Sequence, residues 1–263
     1  MRSTESSFTN ADWGTYAVCY DSLVHLKPYT RMLHDVTKKV LSLPHGLILD
    51  ASCGTGNFER TVFDMARGHT PIIIGVDSSE PMLSRAREKC RMTKLFSFHK
   101  ANLDARLSFG NGTFSQVVSI NTLYAVKDPE ATLREFYRVL NVGGYLMLVT
   151  PKRGYENGLI LKEHCGSVLP DEYWADIHAS GDREKALINE AITDERVAHD
   201  MVTVAEYNRS IAGNHDFHFF EENGLVSLLE RIGFAVSEVS ETYARQDFFI
   251  TATKGGTHGN RSV

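Results

Sequence analysis

Leu47-Ile48-Leu49-Asp50-Ala51-Ser52-Cys53-Gly54-Thr55-Gly56-Asn57-Phe58 is the stretch on which the reading of this 263-residue chain turns. It opens with a short apolar run closed by an acid. Continuous apolar runs bounded by Gly and Asp suit parallel strands buried on both faces. Glycines at 54 and 56 let the backbone turn tightly and approach a ligand closely. From Asn57 the pattern becomes helical, with Phe58, Val62, Phe63 and Ala66 at helical spacing as far as Arg67. A strand therefore delivers Asp50 at its C-terminal end, and the helix that follows points its first N–H groups at whatever sits over the turn.

The same alternation continues outward. Runs at 71–77, 114–120 and 144–150 read as further buried strands. Between them, 81–90 reads as a helix with Pro81 in its first turn and Ser78 or Ser79 as cap. A second, 128–140, carries Leu133, Phe136, Tyr137 and Leu140 on one side and is stopped by Asn141-Val142-Gly143-Gly144. Strand alternating with helix predicts a doubly wound α/β domain on a parallel sheet. Upstream, 12–42 reads as one or two helices broken near Pro28, with Tyr16, Tyr20, Leu23 and Val24 on one face. Downstream, 223–231 reads as a helix ending at Gly233. Two strands follow, 234–239 and 247–253, whose short connection permits antiparallel pairing.

The stretch 151–220 interrupts this order. It is charged, contains Trp174 and several histidines, and reads as mostly helical, most clearly over 183–198. Insertions of this length in a compact domain are usually lids or binding elements. The expected organisation is 1–150 for the N-terminal helices and the cofactor-binding half, and 151–220 for a helical, acceptor-binding lid. Residues 221–254 complete the α/β domain and 255–263 form a flexible tail.

Composition narrows the function classes. Hydrophobic residues are 42% and charged residues 23%, as in an ordinary soluble globular protein. Lys and Arg number 28 against 33 Asp and Glu, a formal charge of -5, which disfavours a phosphate-tracking nucleic-acid partner. The four cysteines, at 19, 53, 90 and 165, form no CxxC pair, so neither a disulfide framework nor a metal site is expected. No apolar run approaches the roughly 20 residues of a membrane span. The polar start, residues 1–10, lacks the apolar core of a signal peptide, and a cytoplasmic protein is expected.

The second half of the candidate site is Asp77, at the end of the next strand. An acid there can accept hydrogen bonds from both ribose hydroxyls. A dinucleotide site wants a third glycine, but Asn57-Phe58-Glu59 follows Gly56. Asp50 beside a pyrophosphate is repulsive; near an ammonium and a sulfonium it is attractive. The sign of that charge favours S-adenosylmethionine over NAD.

In these residues the chain resembles the class I S-adenosylmethionine-dependent methyltransferases. Asp50-Ala-Ser-Cys-Gly-Thr-Gly56 looks like their first motif, and Ile74-Gly75-Val76-Asp77-Ser78-Ser79-Glu80-Pro81-Met82-Leu83 like their second. Lys100-Ala101-Asn102-Leu103 falls at their adenine-flanking segment. The run 114–129 resembles their fourth motif, and Arg138 to Gly144 the turn entering the fifth strand. The resemblance spans about 12–150 and 225–254 and is nearest the branch with ubiquinone- and menaquinone-type and other small-molecule enzymes. It implies a seven-stranded, mostly parallel, Rossmann-like sheet with an antiparallel last strand, and methyl transfer to a small-molecule acceptor.

Roles follow by the same resemblance. Asp50 and the backbone of Cys53, Gly54, Thr55 and Gly56 would hold the methionine portion, with Ser52 standing where the family has its first glycine. Asp77 would hold the ribose, while Ser78 and Met82 flank the adenosine. Ala101, Asn102 and Leu103 would address adenine, Asn102 replacing a common acid. Asn121 and Leu123 would line the floor near the sulfonium, and Tyr16 and Tyr20 would cover the cofactor or contact its carboxylate. No general base is evident; His164, His178, His199, His215 and His218 are scattered. A non-catalytic S-adenosylmethionine-binding module and a NAD-type oxidoreductase remain as alternatives.

Overall fold

The computed structural model describes residues 10–44, 46–174, 181–212 and 216–255. The terminal segments 1–9 and 256–263, together with His178 and His215, lie outside them.

One sheet organises the chain. Its strands are β1 (Ile48–Ala51), β2 (Ile73–Asp77), β3 (Phe96–Lys100), β4 (Phe114–Ile120), β5 (Leu140–Pro151), β6 (Phe234–Thr242) and β7 (Asp247–Lys254). They lie in the order β3-β2-β1-β4-β5-β7-β6. The first five run parallel, and β7 pairs antiparallel with both β5 and β6. The expected seven-stranded, mostly parallel sheet is therefore observed. Alternate residues of the central strands serve opposite faces. Ile48, Val118, Met147 and Val149 join one apolar layer, while Leu49, Val117, Leu146 and Leu148 join the other.

The first layer is covered by α1 (Asn10–Tyr20), a 3-10 turn (Asp21–His25), α2 (Lys27–Ser42), α3 (Asn57–Met65) and α4 (Glu80–Lys89). The chain breaks at Leu26, whose backbone is extended, and Pro28 sits in the first turn of α2 where its missing N–H costs nothing. Helices α5 (Pro129–Val139) and α9 (Glu222–Ile232) cover the second layer through Leu133, Phe136, Leu225 and Leu229. The remaining helices, α6 (Asn157–Cys165), α7 (Gly181–Ala191) and α8 (Glu195–Ala212), belong to the stretch between β5 and α9. They pack on the N-terminal helices, with Arg31 paired to Glu163 at 2.6 Å and Ser22 donating to Asp200 at 2.8 Å.

Three readings need correction. Strand β3 was not evident from the apolar runs, because Phe96 and Phe98 alternate with Ser97 and His99 as on a half-buried edge strand. Residues 141–144 do end the helix, but they already belong to β5, which starts at Leu140 opposite Phe114; the register is irregular before Gln116 meets Tyr145. The helix expected over 183–198 is two helices. Asp194 ends the continuity: its Oδ1 accepts from the N–H groups of Arg196 and Val197, both at 3.0 Å, starting α8 afresh.

Gly75 shows how tightly the strands meet the helices. A Cβ there would lie 2.8 Å from both Glu59 Oε1 and Phe98 Cδ1, and 2.9 Å from Cys53 Cβ. Gly75→Ala is expected to destabilise the protein by about 1–3 kcal/mol, read as a lower urea midpoint; an unchanged midpoint would mean that this contact is slack.

Candidate functional site

The site is built at the C-terminal edge of the parallel strands, where open α/β sheets bind ligands. After β1 the chain rises into a turn anchored to β2: the N–H groups of Ser52 and Cys53 both donate to Val76 O, at 2.8 and 2.9 Å. Gly54 and Gly56 have φ of 53° and 78°. Ser52 also lies in the left-handed region, at φ 74°, which explains why a glycine suits this position in similar loops. Gly56 permits close packing of the α3 start, since a Cβ would meet the Ala86 backbone at 3.2 Å.

Asp77 ties the turn to the next helix. One of its carboxylate oxygens accepts from Gly54 N at 3.0 Å, the other from Ser79 N at 2.8 Å. Asp77 thus serves the start of α4 as well as the turn, while Ser79, the cap residue expected from the sequence, gives no side-chain cap bond. Burial raises the Asp77 pKa, and the N–H groups of Ser79, Gly54 and Ser78 partly offset that. A carboxylate has about four lone-pair sites, so these N–H groups still leave acceptor capacity for a ribose hydroxyl.

Over this edge opens a cleft of about 740 Å³, part of it open to solvent. It gathers ten of the sixteen residues singled out from the sequence. Tyr20, Ser52, Gly54, Asp77 and Ser78 line one part; Met82, Ala101, Asn102, Leu103 and Asn121 line the rest. Asn102 Oδ1 already accepts from Asp104 N at 3.0 Å. Asn121 adopts φ 51°, a conformation Asn tolerates better than most residues.

The other six lie elsewhere. Thr55 is fully buried and donates to Asp21 Oδ1 at 2.5 Å, facing away from the cleft. Gly56 packs on α4, Cys53 is buried, and Leu123 lies in the second apolar layer. Tyr16 lines a neighbouring chamber. Asp50 is 2% exposed and sits beneath the turn.

Asp50 has a partner that the sequence reading missed. Glu59, on the first turn of α3, is fully buried and faces it. As carboxylates both can only accept, and neither Glu59 oxygen meets a protein donor. Burial first, and mutual repulsion second, raise the Asp50 pKa; burial raises that of Glu59 as well. One proton shared between them supplies the missing bond and leaves one negative charge under the turn. The nearby cation, Lys89, is bonded to Asp21, Thr55 and Asn57.

Beside the cleft lies a second chamber of about 560 Å³, part of it open to solvent. Trp13, Tyr20 and Asn121 line both spaces. The chamber also holds Asp247, the first residue of β7, which the sequence reading did not single out. Among the histidines, His164 accepts from Lys27 N at 3.3 Å on the surface, and His199 lines a separate groove along α7 and α8.

With this geometry in view, the comparisons are specific. Residues 49–148 match the family model described as a methyltransferase domain. A demethylmenaquinone methyltransferase of Bacillus licheniformis is 31% identical over 128 residues, covering 48% of this chain and 54% of the relative. A phosphatidylethanolamine N-methyltransferase of Cereibacter sphaeroides is 33% identical over 106 residues, covering 40% and 50%. The chain spans about half the length of the curated relatives it matches. An S-adenosylmethionine-dependent methyltransferase structure from Aquifex aeolicus superposes with a TM-score of 0.57 at 17% identity, covering 94% of this chain and 99% of that one. Over residues 49–148 the chain matches a methyltransferase domain, which implies S-adenosylmethionine as cofactor, and the Aquifex aeolicus structure shares the fold. Among the described residues, no helix is long and apolar enough to cross a membrane.

The chamber's acid makes a measurable prediction. Burial pushes Asp247 from 3.8 up to about 8, offset in part by Asn121 and Lys152. Between those values the folded protein holds a proton that the unfolded chain releases, so this group's contribution to stability falls as pH rises from about 4 to 8. Urea denaturation at pH 5 and pH 8 should show a larger loss for wild type than for Asp247→Asn; equal losses would contradict the burial of an ionisable group here.

Proposed function

We propose that the protein transfers the methyl group of S-adenosylmethionine to a small-molecule acceptor. The observation that carries the reading is Asp77, half-buried at the end of β2 and braced against the glycine turn, with the singly charged Asp50–Glu59 pair beneath it. A cleft whose buried charge is negative suits a nucleoside carrying an ammonium and a sulfonium, and is unfavourable for a diphosphate.

Each side chain then has work to do. Asp77 accepts from the ribose hydroxyls, Met82 and Leu103 sandwich the adenine, and Asn102 bonds its edge. The acid pair beneath the turn attracts the ammonium of the methionine portion through its charge. Asn121 forms the floor on the chamber side. The bound sulfonium supplies an already activated methyl, so the protein contributes alignment and the exclusion of water. Alignment of this kind is worth on the order of 7–11 kcal/mol. Tyr20 and the helices of 151–220 form the lid over that space.

The relatives are named for acceptors as different as a quinone and a phospholipid amine, so their names do not choose the acceptor. Isothermal calorimetry with S-adenosylmethionine tests the cofactor assignment. Asp77→Ala should weaken binding at least tenfold and Asp77→Asn less, because the amide keeps one acceptor. Unaltered affinity in a folded Asp77→Ala protein would remove the ribose assignment.

A further inference from the structure

The chamber beside the cofactor cleft is walled by six tyrosines: Tyr16, Tyr20, Tyr29, Tyr124, Tyr155 and Tyr243. Their rings are mutually fixed. Tyr16 and Tyr20 meet edge to face at 5.2 Å, Tyr20 and Tyr29 at 6.5 Å, and Tyr29 and Tyr243 at 6.0 Å. Several phenols are also tethered. Tyr16 donates to Asn208 Oδ1 at 3.2 Å, Tyr155 donates to Asn157, and Tyr29 accepts from Asn57 at 3.4 Å. The walls come from α1, α2, the β5 end, α8 and the 243–246 turn, so both the α/β domain and the 151–220 stretch contribute.

Into this ring projects one carboxyl group. Asp247 is fully buried, and neither of its oxygens has a hydrogen-bond partner. Asn121 approaches it without closing a bond of ordinary geometry. Lys152, which acts on it from outside the chamber, is itself paired with Glu241 at 2.9 Å. The other titratable groups in the wall are the tyrosines. Burial holds Tyr29 at about 12 and the remaining five further above the ordinary phenol value, so they stay neutral. No Lys, Arg or His stands in the chamber wall among the described residues.

A buried acid with no partner is a costly feature unless something arrives to satisfy it. Aromatic faces around a carboxylate, with no cationic side chain, are the chemistry of an organic cation's site. An anionic acceptor finds nothing there to neutralise it. We propose that this chamber seats the acceptor and that it selects an amine carried as a cation, held by the tyrosine rings and relieved of its proton by Asp247. The proposal rests on the methyl-transfer reading of the adjoining cleft, with which the chamber shares Trp13, Tyr20 and Asn121.

The step balances. A proton passes from the bound ammonium to an Asp247 oxygen, freeing the nitrogen lone pair. The N–C bond forms as the C–S bond breaks, and the C–S electron pair remains on sulfur. The positive charge thereby passes from sulfur to the methylated nitrogen, and Asp247 ends the step protonated, as in the empty chamber, its own proton having gone to solvent when the ammonium bound. One proton is released per methyl transferred. A neighbouring sulfonium assists, because it disfavours a second cation beside it and so promotes loss of the ammonium proton.

The test needs no knowledge of the natural acceptor. Choline and its uncharged isostere 3,3-dimethylbutan-1-ol are titrated by calorimetry into the full chain at pH 6.5, without cofactor, in two buffers of different ionisation enthalpy. Wild type is expected to bind choline at least tenfold more tightly than the alcohol and to release close to one proton as Asp247 ionises against it. Asp247→Asn should bring the two probes within about twofold and abolish proton release, while binding S-adenosylmethionine as wild type does. Equal affinity for the two probes in wild type overturns the proposal even if the variant fails to fold, and a preference for choline that survives in Asp247→Asn removes the role of that residue. A wild type that selects choline but does not bind S-adenosylmethionine would instead break the methyl-transfer reading and leave cation selection standing.

Discussion

Acidic groups buried with too little positive charge to answer them are the constraint around which this protein is arranged. Three acidic positions stand along one edge of the sheet or just under it: the Asp50–Glu59 pair, Asp77 and Asp247. The cations nearest to them are bonded to other groups, Lys89 to Asp21 and Lys152 to Glu241. Backbone N–H groups satisfy Asp77, and a shared proton satisfies the pair. Asp247 is left with burial alone. A cleft so charged, and a chamber whose acid keeps its proton until a positive charge arrives, are completed by cationic ligands, and the two proposed occupants, a sulfonium nucleoside and an amine, are of that kind.

The scaffold makes this arrangement tolerable. Parallel strands buried on both faces fix their C-terminal ends to one another through continuous ladders, so β1 and β2 deliver Asp50 and Asp77 in register, with Asp50 beside Gly75. The antiparallel β7 then brings Asp247 next to the end of β5, opposite Pro151, on the chamber side of Asn121. Helix α1 closes the other side with Trp13, Tyr16 and Tyr20; α8 braces it through Asn208 and braces the following 3-10 turn through Asp200. The 151–220 stretch is thus packed on the N-terminal helix.

Much of this was legible in the sequence where short-range physics decides. The glycine turn, the acid at the end of β2 and the apolar runs of β1, β2 and β4 need only local pattern. Strand β3 escaped because an edge strand alternates like a surface segment. The 192–194 break escaped because a capping Asp194 among charged neighbours looks like a solvated helix face. Within the site, Thr55 and Leu123 belong to motifs whose backbone matters while their side chains turn into the core. Glu59 and Asp247 were invisible for a different reason. Nothing in their local sequence marks an acid as buried; only the packing of α3 against β1, and of β7 against β5, puts them where water does not reach. The chamber is likewise a product of six tyrosines scattered from position 16 to position 243.

A crystal structure grown with S-adenosylhomocysteine examines the whole arrangement at once. The account requires ribose hydroxyls on the Asp77 carboxylate, adenine between Met82 and Leu103, and the sulfur beside Asn121, facing the tyrosine chamber. A nucleoside lodged elsewhere, or a sulfur pointing away from that chamber, would contradict it.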